Sequence, residues 1–288
     1  MVAQKLELLA IIGPTASGKT ALSIEVAKKF NGEIISADSR TVYSGLDIGT
    51  AKPSFAERDG IVHYGFDLIK PNERYSASEF KKYALDKIED IKKRGKLPII
   101  VGGTGLYVDC VMYDFKMPKS NLELRRSLEL KDIHELQSII LEKGLIMPEN
   151  KNNRLHLITT IERNGEIPTR NDKLPKGWYL IGIKPDNSVL QKRILQRADI
   201  MFDSGVENEA KRVASEFGWD CPGLNGGIYK CLRLYATGEI SLEQCKQQFL
   251  KSDKLLAKRQ ITWFNRNKEI LWFSDTANVN KWLDSTFK

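Results

Sequence analysis

Residues 13–20 read Gly-Pro-Thr-Ala-Ser-Gly-Lys-Thr, a complete G-x-x-x-x-G-K-[ST]. An apolar run over Leu6–Ile12 leads into this octapeptide. An amphipathic segment, Thr20–Phe30, follows it with Leu22, Val26 and Phe30 four apart. A buried strand, a glycine loop and a helix in that order belong to a parallel α/β sheet. Gly13 and Gly18 allow a tight turn, so the backbone of Pro14, Thr15, Ala16 and Ser17 can close around phosphate oxygens. The helix N-terminus adds positive potential, Lys19 adds a full charge, and the Thr20 hydroxyl can reach Mg²⁺. The motif therefore predicts a di- or triphosphate site with Mg²⁺ as its cofactor, and leaves the reaction open.

The alternation continues. Glu33–Ser36 is a short apolar strand, and Ser76-x-x-Glu79 reads as a capping box opening a helix with Phe80, Tyr83, Ala84, Ile88 and Ile91 on one face. Leu97–Val101 is a third buried strand ending at Gly102-Gly103, and Trp178–Ile183 a fourth. Between them, residues 116–176 hold helix-compatible segments at Glu123–Leu130, Ile133–Lys143 and Arg154–Arg163 and no clear strand. The last third predicts helices around Leu190–Met201, Ala210–Phe217 and Ser241–Asn267, then an edge strand at Ile270–Phe273. The expected fold is an α/β, P-loop NTPase-like parallel sheet flanked by helices. Its core comprises residues 1–115 and 177–288, interrupted by a small helical insertion over 116–176.

Composition removes several classes. The chain of 288 residues is 41% hydrophobic, enough for a sizeable core, and no stretch approaches the ~18 apolar residues of a membrane helix. The first residues, MVAQKLELLAIIGP, do not read as a signal peptide. Cys110, Cys221, Cys231 and Cys245 have no C-x-x-C spacing and no paired histidines, so idle thiols in a reducing cytoplasm are expected. Lys+Arg exceeds Asp+Glu by 45 to 37, a net charge of +8 that suits a polyanionic partner.

Further candidates cluster by position. Ser36-Ala37-Asp38-Ser39 ends the second strand, so Asp38 is expected beside the phosphate loop, where a carboxylate can hold Mg²⁺ through water or take a proton. Thr104 follows Gly102-Gly103 at another strand end. Arg193 and Arg197 share a helix face and can stabilise a diphosphate leaving group. Lys251, Lys254 and Lys258 form a basic stripe, with Arg259, Trp263 and Arg266 beside it, a pattern that suits a nucleic-acid backbone.

GPTASGKTAL, EIISADS, VYSGLDIGTAKP, VHY, YSASEF, LPIIVGGTGLY and AKRQITWF occur in that order. In these segments the chain resembles the tRNA dimethylallyltransferase (tRNA isopentenyltransferase) family, densely over residues 7–108 and again over 178–273. The resemblance implies transfer of a five-carbon group from dimethylallyl diphosphate to N6 of the adenosine 3′ of a tRNA anticodon. It implies that residues 13–20 hold diphosphate. Asp38 matches the family's base, Thr104 the channel threonine, and Arg197, with Met201 four residues on, the diphosphate clamp. It further implies tRNA contacts from Asp38, Ser39, Arg40, Thr41, Thr104, Arg126, Arg154 and Lys258, with the insertion gripping the anticodon stem-loop. The expected enzyme is a cytoplasmic monomer without membrane attachment. The phosphate loop and parallel sheet alone would equally suit a P-loop small-molecule kinase, and an RNA-binding protein that has lost catalysis is a third reading.

Overall fold

The structure, a computed structural model, describes residues 5–116, 118 and 121–287. It divides into two compact units, one of residues 1–112 with 173–288 and one of residues 113–172.

In chain order the first unit begins with β1 (Leu8–Ile12), α1 (Lys19–Lys29), β2 (Gly32–Ser36), β3 (His63–Tyr64), α2 (Ala77–Lys93), β4 (Leu97–Gly102) and α3 (Gly105–Met112). The second unit is α4 (Leu122–Leu128), α5 (Ile133–Glu142) and α6 (Arg154–Glu162). The first unit resumes with β5 (Trp178–Ile183), α7 (Asn187–Asp203), α8 (Val206–Phe217), α9 (Gly227–Ala236), α10 (Leu242–Phe264), β6 (Leu271–Phe273) and α11 (Thr276–Thr286).

The strands form one parallel sheet in the order β3-β2-β4-β1-β5-β6. Every residue of β1, β2 and β4 is buried, as expected of strands covered by helices on both faces. The edge strands are the shortest, three residues in β6 and two in β3, which limits the unpaired edge. Leu9, Ile11, Leu22, Val26, Ile34, Ile99 and Ile181 form the heart of the apolar layer on one side of the sheet. The Ser76–Glu79 capping box opens α2 with both reciprocal bonds made.

The second unit has its own core of Leu128, Leu136, Ile140, Leu157, Ile158 and Ile161. Its chain ends are zipped together: Lys116 and Thr169 exchange backbone hydrogen bonds of 2.7 and 3.2 Å, and Asn171 N donates to Tyr113 O at 2.8 Å. Those bonds set its limits at 113 and 172, whereas the composition change alone suggested 116 and 176. It carries ten Lys or Arg and ten Asp or Glu, so the whole net charge of +8 sits on the first unit.

One buried charge organises the amino-terminal end of the sheet, away from the phosphate loop. The Glu33 side chain on β2 is 2% exposed and accepts both arms of Arg94 at 2.6 Å, Lys96 Nζ at 2.7 Å and the Tyr64 hydroxyl at 3.0 Å. The Arg94 hydrogen bonds, against the cost of burial and with help from Lys96 and Tyr64, hold its carboxyl down to about 2. The folded value lies below the ordinary 4.5, so this stability is present above pH 4.5 and is lost as pH falls toward 2. Glu33→Gln is expected to cost ~2 kcal/mol at pH 7, the scale of hydrogen bonds to a charged group, and to flatten stability between pH 4.5 and 2. Trp178, Trp219, Trp263, Trp272 and Trp282 all lie in the first unit, so denaturant unfolding followed by tryptophan fluorescence measures this unit alone.

Candidate active site

The strand order places the carboxyl ends of β2, β4 and β1 side by side. The loop of residues 13–20 leaves β1, Asp38 and Ser39 follow β2, and Gly103 and Thr104 follow β4. Three segments far apart in the chain therefore share one edge of the sheet, where ligands bind in open α/β folds.

Residues 13–20 turn through Ala16 at φ 59° and Gly18 at φ 96°, both in the left-handed region. Gly18 is the N-cap of α1 and supplies no side-chain cap, so the first-turn N–H groups are left for an anion. Lys19 Nζ donates to Pro14 O at 2.6 Å and approaches Ser17 Oγ at 3.5 Å, which keeps the ammonium within the turn. Burial pulls the Lys19 pKa down from 10.5 to about 8; Asp38 opposes that shift and Arg197 adds to it. Thr20 lies exposed at the start of the helix.

Asp38 Oδ1 accepts the Arg40 backbone N–H at 2.8 Å, and among the described residues its other oxygen makes no hydrogen bond. Thr104 Oγ1 accepts from Ser39 N at 3.0 Å and donates to Ser39 Oγ at 3.3 Å, while Thr104 N donates to Ala37 O at 3.2 Å. Gly102 makes that approach possible, since a Cβ there would lie 2.1 Å from Ala37 O. Asp38, Ser39 and Thr104 are thus held as one turn-to-turn cluster.

Helix α7 brings both arginines to the phosphate loop. Arg193 donates to Ser17 O at 3.0 Å. Arg197 hydrogen-bonds Thr15 Oγ1 and pairs with Asp253 at 2.9 Å. Burial pushes the Asp253 carboxyl upward and the neighbouring Arg197 pulls it back.

The remaining expected tRNA contacts are dispersed. The Arg40 guanidinium is held by the carbonyls of Pro222 and Gly223 and lies 5.2 Å from the Tyr43 ring, inside the first unit. Thr41 is buried and bonds Ser36 Oγ at 3.1 Å and Asp38 O at 3.2 Å, which supports the Asp38 turn from behind. Arg126 is exposed on α4. Arg154 donates to the carbonyls of Lys131 and Glu129 and so staples α6 to the end of α4. Lys251, Lys254 and Lys258 are all exposed on α10. Trp263 is less available than its place in the basic stripe suggested: its indole N–H donates to Asp109 at 3.0 Å and its ring covers Gly105, where a Cβ would lie 2.2 Å away.

Sequence reading missed several residues that hold the site. Asp253 and Gln260 lie seven apart, two turns on one face of α10, and both engage Thr15 or its partner Arg197. The DIGTAKP segment is clamped from α8 and α9. Glu209 accepts the N–H groups of Asp47, Ile48 and Gly49 at 2.7–3.0 Å and the Tyr229 hydroxyl at 2.6 Å. Lys52, 2% exposed, bonds Tyr43 O, Asp47 and Asp67. Only the pairing of a lone acid with a glycine-containing loop could have signalled the Glu209 bonds to residues 47–49, which span about 160 residues.

Comparison with known proteins gives the same picture. The family model for IPP transferase matches residues 41–267, and the model for isopentenyl transferase matches residues 6–67. A tRNA dimethylallyltransferase of Pediococcus pentosaceus is 40% identical over 94% of this chain and 92% of its own. The crystal structure of the tRNA isopentenylpyrophosphate transferase of Bacillus halodurans superposes with a TM-score of 0.74 at 32% identity, covering 98% of this chain and 96% of that one. The corresponding enzyme of Staphylococcus epidermidis gives 0.73 at 33% identity, covering 96% and 98%. With the phosphate loop, Asp38 and Thr104 gathered at one sheet edge and matches of this length in both sequence and structure, the chain belongs to the IPP transferase family, a family of prenyl-transferring enzymes.

Proposed function

We propose that this chain transfers the dimethylallyl group of dimethylallyl diphosphate to N6 of the adenosine immediately 3′ of the anticodon in tRNA, releasing diphosphate. The observation that carries this reading is the adjacency of an anion-binding loop to a carboxylate–threonine cluster across neighbouring strand ends. A kinase would use the loop but gives no role to the clamped DIGTAKP segment. In the transfer, the N6 lone pair forms a bond to C1 of the dimethylallyl group as the C1–O bond to diphosphate breaks. The N6 proton passes to Asp38, and the leaving diphosphate is stabilised by Lys19, the loop amides and Arg197. Thr104 and Ser39 hold the turn that presents Asp38.

Mg²⁺ belongs to the same proposal. No cluster of three or more His, Cys, Asp or Glu suited to a metal exists among the described residues, and the exposed Thr20 hydroxyl stands at the loop. One hydroxyl plus phosphate oxygens is a donor set that fits Mg²⁺, which would neutralise diphosphate charge. The tRNA partner is supported by the net charge of +8 and its confinement to the first unit. We assign backbone attraction to the exposed lysines of α10 and recognition of the anticodon stem-loop to residues 113–172, with Arg126 outward. The enzyme acts as a cytoplasmic monomer; among the described residues no helix is long and apolar enough to cross a membrane.

The deciding assay is transfer of label from dimethylallyl diphosphate to unmodified tRNA, set against ATP turnover; label retained in small molecules with ADP release would favour the kinase. Within that assay, Asp38→Asn is expected to slow transfer by ~10²–10⁴ while diphosphate binding stays nearly intact. Lys19 yields a pH test. Its ammonium, not its amine, attracts the anion, and burial pulls its pKa down to about 8, so affinity for an unreactive organic diphosphate falls as pH rises through that value. Calorimetric titration between pH 7 and 9.5 reads the fall, and Lys19→Arg should give a flat profile. A wild-type profile flat to pH 9.5 would show that the ammonium stays charged over that range, whereas Lys19→Ala binding the diphosphate as tightly as wild type would remove Lys19 from the anion site.

Salt dependence tests the α10 lysines. Each phosphate contact contributes roughly −0.7 to −0.9 to the slope of log K against log salt. A Lys251→Gln, Lys254→Gln, Lys258→Gln triple variant is expected to show a shallower slope with unchanged single-turnover transfer at saturating tRNA. A slope equal to wild type would make the stripe a solvated face.

A further inference from the structure

Helix α10 touches the phosphate loop at two points. Asp253 holds Arg197, which bonds Thr15 Oγ1. Two turns later Gln260 Oε1 accepts the Thr15 backbone N–H at 2.7 Å. The other end of the same amide reaches the next strand, where Gln260 Nε2 donates to Gly103 O at 3.1 Å. Residue 103 must be glycine for this, because a Cβ would lie 2.3 Å from Nε2. Gly103 precedes Thr104, which accepts from Ser39, the neighbour of Asp38.

We propose that Gln260 is a positioning residue that fixes the diphosphate loop against the acceptor side of the site. It does so along one path: Thr15 N, the Gln260 amide, Gly103 O, Thr104 and Ser39. The inference rests on the transfer reading above. The amide is the group this bridge needs, since one partner is a donor and the other an acceptor. Glutamate would keep the bond to Thr15 N and set a carboxylate oxygen against Gly103 O. Asparagine is one methylene too short to span both.

The two reacting atoms come from the two sides that Gln260 ties together, C1 from the diphosphate side and N6 from the Asp38 side. Near-attack distances of about 3–3.5 Å are needed, and a 1 Å error costs about 10²-fold in rate. The bridge therefore acts on the transfer step and leaves each substrate's own contacts intact. The packing of α10 rests instead on Cys245, Phe249, Ala257 and Phe264, which a change at position 260 leaves in place.

The test uses full-length Gln260→Met and Gln260→Glu with two independent readouts. In single-turnover transfer at saturating substrates, both variants should be slower by about 10–10²-fold, with dissociation constants for inorganic diphosphate and for tRNA within about threefold of wild type. In amide NMR, inorganic diphosphate should shift the Gly103 and Thr104 resonances of wild type and leave them unmoved in Gln260→Met. Wild-type transfer rates in both variants, or a Gly103–Thr104 response that survives in Gln260→Met, would overturn the proposal. So would a loss of both affinities and of thermal stability in step with the rate, which would make the residue structural only. A wild-type enzyme that shows the diphosphate-dependent shifts but moves no label to tRNA would overturn the transfer reading while the coupling stands.

Discussion

The parallel pairing of β4 between β1 and β2 is the constraint on which the rest depends. Parallel strands need long crossovers, so the residues after β1, β2 and β4 come from loops dozens of positions apart and still emerge at one edge. Ile34, Ile99 and Leu9 lie in register across the three strands. A slip in either pairing would move Asp38 or Thr104 away from the phosphate loop. The apolar burial that sets this register is thus also what assembles the chemistry.

Charge is distributed by the same logic. The carboxyl end of the sheet carries Lys19, Arg193 and Arg197, with Asp38 and Asp253 as its nearby acids. The opposite end carries the neutralised Glu33 cluster. With its own cations at one end of the sheet, the Glu33 carboxylate does not compete with an anion for Lys19, Arg193 and Arg197 at the other. Residues 113–172 carry no net charge, so that unit adds no net attraction toward a polyanion.

Helix α10 joins functions that the sheet alone keeps apart. Its buried face supplies Asp253 and Gln260 to the phosphate loop, and Trp263 packs over Gly105 at the start of α3. Its outer face carries the exposed lysines. The 3.6-residue period alone separates these faces. That explains why a segment which reads as a basic stripe is, on its other side, part of the site.

The amino-acid sequence by itself determined the elements whose signals are local. The octapeptide after an apolar run specified β1, its loop and α1; Ser76 and Glu79 specified the start of α2; and the apolar runs at residues 97–101 and 178–183 specified two central strands. Asp38, Thr104 and Arg197 were legible because they sit at strand ends or on a helix facing a glycine loop. β3, two residues long, has no periodicity to read, and α11 lies beyond the last element expected from the sequence. Tertiary structure decided the strand order, the 113–172 limits and the partners of Arg40, Glu209, Asp253 and Gln260. The links Arg40–Gly223, Glu209–Asp47, Asp253–Arg197 and Gln260–Thr15 each cross more than 50 residues. A hydrogen bond between distant segments leaves no local pattern, because it depends on the position of a partner that only the packed sheet and helices supply.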